Sequence, residues 1–119
     1  MEGSSYIAAV SLVETKPEVA TEPWRKVLLD AADYIDAHGW CQNDLYSADG
    51  AVCLVGAIKA SSGMPIDDSR WHDYPNTALS LGKVEKFLRT DRRGAAGWND
   101  TPGRTAAGVT AALRECARS

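Results

Sequence analysis

The sequence predicts an all-α fold: a compact single domain of about four helices around a buried central helix, preceded by an N-terminal arm. Three observations predict it. Trp24, Val27, Leu28, Ala31 and Ile35 recur at i, i+3, i+4, i+7 and i+11, the spacing of one apolar helix face. Residues 52–57 form an uncharged apolar block, and Lys59 is the only charge between it and Gly63. No run of alternating residues is long enough to suggest a strand ladder.

Taken in order, residues 1–20 read as a partly mobile extension. Residues 6–13 are apolar enough for one strand or a loosely docked segment, and Lys16-Pro17 breaks any regular element. The helical domain is expected over residues 21–119. Thr21-Glu22-Pro23 supplies a capping hydroxyl, an early acid and a first-turn proline. Gly39 supplies the stop.

Residues 40–50 connect this helix to the central one, with Asp49-Gly50 as a turn. The central helix is expected from about Ala51 to Ser61, closed by Gly63 and Pro65. Burying Val52, Leu54, Val55 and Ile58 contributes on the order of 6–12 kcal/mol before entropy, at ~1.5–3 kcal/mol each. That equals a typical net stability of ~5–15 kcal/mol, so this block is the centre of the core.

Residues 64–75 read as a polar surface loop with a helical turn. A third helix begins near Pro75 and turns Leu81, Val84, Phe87 and Leu88 inward. Gly94 and Gly97 bracket a further loop. Thr105 caps a last helix whose inner face holds Val109, Ala112, Leu113 and Cys116.

Length and composition narrow the function. A chain of 119 residues is one domain, 45% hydrophobic and 24% charged, as in ordinary globular proteins. The net charge of −3 gives no general pull toward nucleic acid. The basic run 89–93 reads as a helix C-terminus complementing the macrodipole. Nothing approaches the ~18 apolar residues of a membrane span. Three cysteines without an export signal suggest free thiols and a cytoplasmic protein. No metal motif is present and no cofactor is expected: there is neither CxxC nor HxxxH.

Two motifs stand out. Asp49-Gly50-Ala51-Val52-Cys53-Leu54-Val55-Gly56-Ala57 follows Gly39-Trp40, and Trp98-Asn99-Asp100-Thr101-Pro102-Gly103-Arg104-Thr105 precedes the last helix. In the second, Asn99 and Asp100 suit backbone-bonded turns, and Pro102-Gly103 suits the centre of a type II turn. In this order the motifs resemble an uncharacterised small domain family of actinobacteria and their phages, over roughly residues 24–117. The resemblance implies no particular chemistry. That family's final helix often carries an acid three residues after the threonine, where this chain has Gly108. Trp71-His72 has no counterpart in the pattern.

Chemically, Cys53 at a helix N-terminus is open to two readings. The dipole there favours thiolate, so Cys53 with His72 and Asp73, or with His38, would suit a small cysteine-dependent hydrolase or transferase. Its neighbours Val52 and Leu54 suggest instead an inert buried thiol, the favoured reading. Asp44 and Asp49 lack the alternating acids of a calcium loop and read as solvated turn acids. Aromatic residues in polar loops, Trp40 with Tyr46 and Trp71 with Tyr74, are the type that anchors partners. Arg104 beside Asn99 and Asp100 would hold an anion or form an internal ion pair.

The expectation is therefore a non-catalytic binding or protein-interaction module. Its ligand or partner surface would be formed by Trp40, Asp44, Tyr46, Asp49, Trp71, Tyr74, Trp98, Asn99, Asp100 and Arg104. Its partner would be a protein or small ligand, with neither nucleic acid nor membrane involved. A homodimer through residues 6–13 would bury that patch.

Overall fold

The computed structural model describes residues 22–119, which form five α-helices and one 3-10 turn. The apolar stripe of the first helix, α1 (Pro23–His38), buries all five expected positions and Ala32 besides. Proline occupies its first turn, and Glu22 is its N-cap without a side-chain capping bond. The expected Thr21 cap lies outside the described residues, as does the patch at residues 6–13. At Gly39 the backbone turns with φ +99° and ψ 166°, so the chain leaves α1 extended rather than through a left-handed helical cap.

The connection that follows folds around Val52. The Val52 amide donates to the Gly39 carbonyl at 3.0 Å, and the Val52 carbonyl accepts from Cys41 at 3.0 Å. The Cys53 amide donates to Leu45 and Ser47 donates to Ala51, at 3.0 and 2.9 Å. These bonds hold residues 51–53 extended, so α2 (Leu54–Ser62) begins three residues later than the sequence suggests. Every residue from 51 to 59 is buried, including Lys59. Gly63, at φ +87°, gives α2 its left-handed end.

The loop of residues 64–74 is pinned rather than loose. Lys59 Nζ reaches out of the core to donate to the carbonyls of Ile66 and Asp68, at 2.9 and 2.8 Å. The 3-10 turn Trp71–Asp73 follows.

In α3 (Pro75–Leu88) the fully buried positions are Thr77, Ser80 and Val84. Ser80 returns its hydroxyl to the Asn76 carbonyl, and Thr77 meets the Ser62 hydroxyl at 2.5 Å, so neither buried hydroxyl is unpaired. Leu81 and Leu88 are partly buried, as expected in kind. Phe87 departs from expectation: it is 40% exposed, because the last turn of α3 borders an open groove.

Gly94–Asn99 is a short helix, α4, where a loop was expected. It begins at Gly94 with φ +70°, and the Glu85 carboxylate on α3 accepts the Ala95 amide at 2.8 Å. A cap supplied from another helix compensates for two helix-weakening glycines. The last helix, α5 (Ala106–Ala117), is capped by the Thr105 hydroxyl, which accepts the Gly108 amide at 3.1 Å.

Helix α1 is the organiser, packing most extensively on α5 and then on α2. Arg114 on α5 spans Asp33 and Asp36 of α1, at 2.9 and 2.7 Å. Arg25 donates to the main-chain oxygens of Ala117 and Ser119.

Candidate functional site

The two motifs meet in space at Asn99. This residue is fully buried, at the end of α4. Its Oδ1 accepts the Trp40 indole N–H at 2.6 Å and the Leu54 amide at 3.0 Å. Its Nδ2 donates to the Cys41 carbonyl at 3.1 Å and to Asp100 Oδ1 at 3.0 Å. A carboxamide has two donor hydrogens and two acceptor positions, and all four are used. Leu54 is the first residue of α2, so Asn99 also satisfies an amide that the helix itself leaves unpaired.

Around this centre the loops at 40–49 and 98–104 are stitched together. Gln42 Nε2 donates to the carbonyls of Asn99 and Thr101 at 3.0 and 3.1 Å. The Asn43 amide donates to Asp100 Oδ1 at 2.8 Å. Neither Gln42 nor the convergence on Asn99 is legible in the sequence, because every contact that joins one motif to the other crosses 45 or more positions.

Cys53 is the N-cap of α2. Its Sγ accepts the Gly56 amide at 3.4 Å, the bond that serine or aspartate makes at such a position. The side chain is 4% exposed, and burial pushes its thiol above the ordinary cysteine value, against the lowering effect of nearby amides. It forms the floor of a small pocket of about 210 Å³ with Asn43, Asp44, Leu45, Ala96 and Asp100. The expected bases do not assemble on it. His72 is 83% exposed, with Nε2 3.4 Å from Asp73 Oδ1, and His38 stacks on Tyr34 at 4.1 Å between ring centroids.

The other aromatic residues divide by role. Trp40 is half-buried and bonded to Asn99. Trp98 is half-buried with the Arg104 guanidinium 3.8 Å above its ring. Trp71 is half-buried with Lys59 Nζ 4.9 Å from its ring, and the Tyr74 hydroxyl meets Asp68. Arg104 forms no ion pair with Asp100; it donates to the Trp98 carbonyl at 2.9 Å and lies on that residue's own ring. The residues standing in solvent are Asp44, Tyr46 and Asp49, with Tyr46 51% exposed. Asp49 accepts from the Ser47 hydroxyl, which with the Ala51 amide holds its carboxyl below the usual range.

Among the described residues no three His, Cys, Asp or Glu side chains gather where they could hold a metal ion. No described helix is long and apolar enough to cross a membrane. The fold and its centre define a small helical domain in which a buried carboxamide, rather than a nucleophile–base pair, ties the two motif loops together. The chain belongs to DUF6197, a family of unknown function, whose model matches residues 19–119. No curated protein and no solved structure matches it.

Proposed function

We propose that the protein is a non-catalytic protein-interaction module whose recognition surface is the loop of residues 41–49, presented rigidly by the Asn99 hub. The observation carrying this reading is the use of Cys53 as a buried helix cap. Burial outweighs the helix N-terminus and its amides and raises the thiol, and no histidine is bound to it, so Cys53 lacks the base and the lowered pKa of an activated cysteine nucleophile. Asp44, Tyr46 and Asp49 are then the contact residues, while Trp40, Trp98, Asn99, Asp100 and Arg104 hold them in place. Trp71 and Tyr74 brace the neighbouring loop. A cytoplasmic setting suits three free cysteines, and the resemblance to actinobacterial and phage domains suits an accessory role.

The test is a thiol-reactivity profile of the native protein against pH. Cys41, which is half-buried, should label ahead of Cys53, and Cys53 should label at the rate of global opening. A Cys53 that labels rapidly below pH 7 and saturates with an electrophile would overturn the reading.

A further inference from the structure

Three large hydrophobic side chains are exposed among the described residues: Tyr46, Leu79 and Phe87. Tyr46 and Phe87 lie in opposite electrostatic surroundings. Asp44 and Asp49 share the loop of Tyr46, and with Asp100 they help raise the Cys41 thiol of that loop, after burial and Cys53. The Asp44 carboxylate has no hydrogen-bond or ion-pair partner among the described residues.

Phe87 lines a groove of about 510 Å³ between the start of α1, the last turns of α3 and the end of α5. Arg25, Lys83, Lys86 and Arg89 also line it, and no carboxylate side chain does. There the Cys116 thiol is raised by burial but drawn down by Arg25 and Lys83. Lys83, Lys86 and Arg89 are without a carboxylate partner among the described residues. The spacing from Lys83 to Arg89 along α3 is about 9 Å, which suits a few carboxylates better than a long polyanion. A nucleic acid running past the groove would also meet a protein of net charge −3.

We propose that the chain associates with a second copy of itself, the acidic Tyr46 loop of one molecule entering the basic Phe87 groove of the other. This rests on the loop of residues 41–49 being the recognition surface and names its partner. The groove lies at the Trp24 end of α1 and the loop follows its Gly39 end, about 24 Å away along 16 residues. Two copies with α1 antiparallel bring each loop toward the other's groove, the reciprocal contact that closes a two-fold dimer. The contact is small and charge-guided, so the association is weak and salt-sensitive.

Sedimentation of the full chain from about 10 μM to about 1 mM tests it. At roughly 0.05 M salt the average mass should rise with concentration, and at roughly 0.5 M it should fall back, as screening shortens the reach of the charges. Two surface variants separate this contact from any other. Lys83→Glu with Lys86→Glu and Arg89→Glu reverses the groove, leaving Arg25 as its one lining cation. Asp44→Lys with Ala48→Lys reverses the loop and spares the Ser47–Asp49 contact.

Each variant alone places like charges together and should weaken association at least about tenfold. Mixed one to one, the reversed loop faces the reversed groove, and association should return. Circular dichroism melts confirm that both variants are folded, and rescue in the mixture requires it. A wild-type chain monomeric throughout, reversal without effect, or a mixture that stays monomeric overturns the proposal. Any of these leaves the non-catalytic reading standing, because that reading is decided by the Cys53 labelling rate.

Discussion

The Trp40 indole N–H points at the carboxamide oxygen of Asn99, 59 positions later in the chain, at 2.6 Å. The same oxygen receives the first amide of α2, so one atom joins the end of α4, the exit from α1 and the start of the central helix. Asn99→Ala strands the buried Leu54 amide, frees the indole and removes the donor from the Cys41 carbonyl. An unpaired buried group costs about 1–3 kcal/mol, and water can reach the half-buried Trp40, so a loss of about 2–4 kcal/mol is expected. Urea unfolding measures it. A loss below about 1 kcal/mol would mean that the hub is not the clasp described.

Gly56 sets a different kind of limit. A Cβ added there would strike the Leu45 carbonyl oxygen, and that oxygen already accepts the Cys53 amide. Alanine is the better helix former by about 1 kcal/mol. Overpacking against backbone costs about 1–3 kcal/mol, and here the displaced carbonyl also anchors the cap of α2. Gly56→Ala should therefore destabilise on balance, and its melting temperature should fall. A higher melting temperature would show that the loop at residue 45 yields freely.

What the sequence discloses and what it hides follow from the range of the interactions. The stripe of α1, the burial of residues 52–58, the Gly63 stop and the Thr105 cap are set within a few residues of one another. All are legible from spacing and local chemistry. Helix α4 is hidden because its cap comes from Glu85, ten positions upstream, while its own glycines argue for a loop. The late start of α2 is hidden because residues 51–53 are held extended by main-chain bonds to residues 39–47. The motif residues were identifiable as special. Their division into clasp (Asn99, Trp40, Arg104) and solvent-facing group (Asp44, Tyr46, Asp49) depends on which partner fills each bond, and spacing does not encode that.

Lys59 is a buried cation with no carboxylate partner among the described residues. Two carbonyls and the Trp71 ring receive its ammonium group, and those carbonyls belong to the loop of residues 64–74. Lys59→Met keeps the aliphatic stem and deletes the tie. The Ile66 and Asp68 carbonyls then turn to water, and the loop loses its anchor while the core volume is kept. Global stability should fall by about 1–3 kcal/mol. The sharper readout is local: limited proteolysis should cut near residues 64–74 well before the rest of the domain opens. Cleavage no faster than in the wild type would assign the loop's order to Trp71 and Met64 instead.

Asp68 gives the domain an acid-sensitive contact. Its Oδ1 accepts the Arg70 amide at 2.9 Å and Nε at 3.0 Å, and its Oδ2 accepts Nη2 at 2.8 Å and meets the Tyr74 hydroxyl. The Arg70 side chain, then its amide, holds the Asp68 carboxyl far below the usual carboxylate range. A carboxyl whose pKa is lower in the folded state binds protons more readily when unfolded. Its stabilisation is thus complete above the ordinary aspartate value of about 4 and is lost as pH falls through the depressed folded value. Wild type and Asp68→Asn should differ in melting temperature by a constant amount from pH 7 to about pH 5, and the gap should narrow only below about pH 4. Arg70 is 66% exposed, so salt should reduce the gap without abolishing it, because the bond to the Arg70 amide remains. Arg70→Ala brings the folded Asp68 carboxyl closer to its unfolded value, so the acid-dependent part of the stability should shrink while its onset stays near pH 4. A gap that is already closing at pH 6 would place the responsible titration on another group.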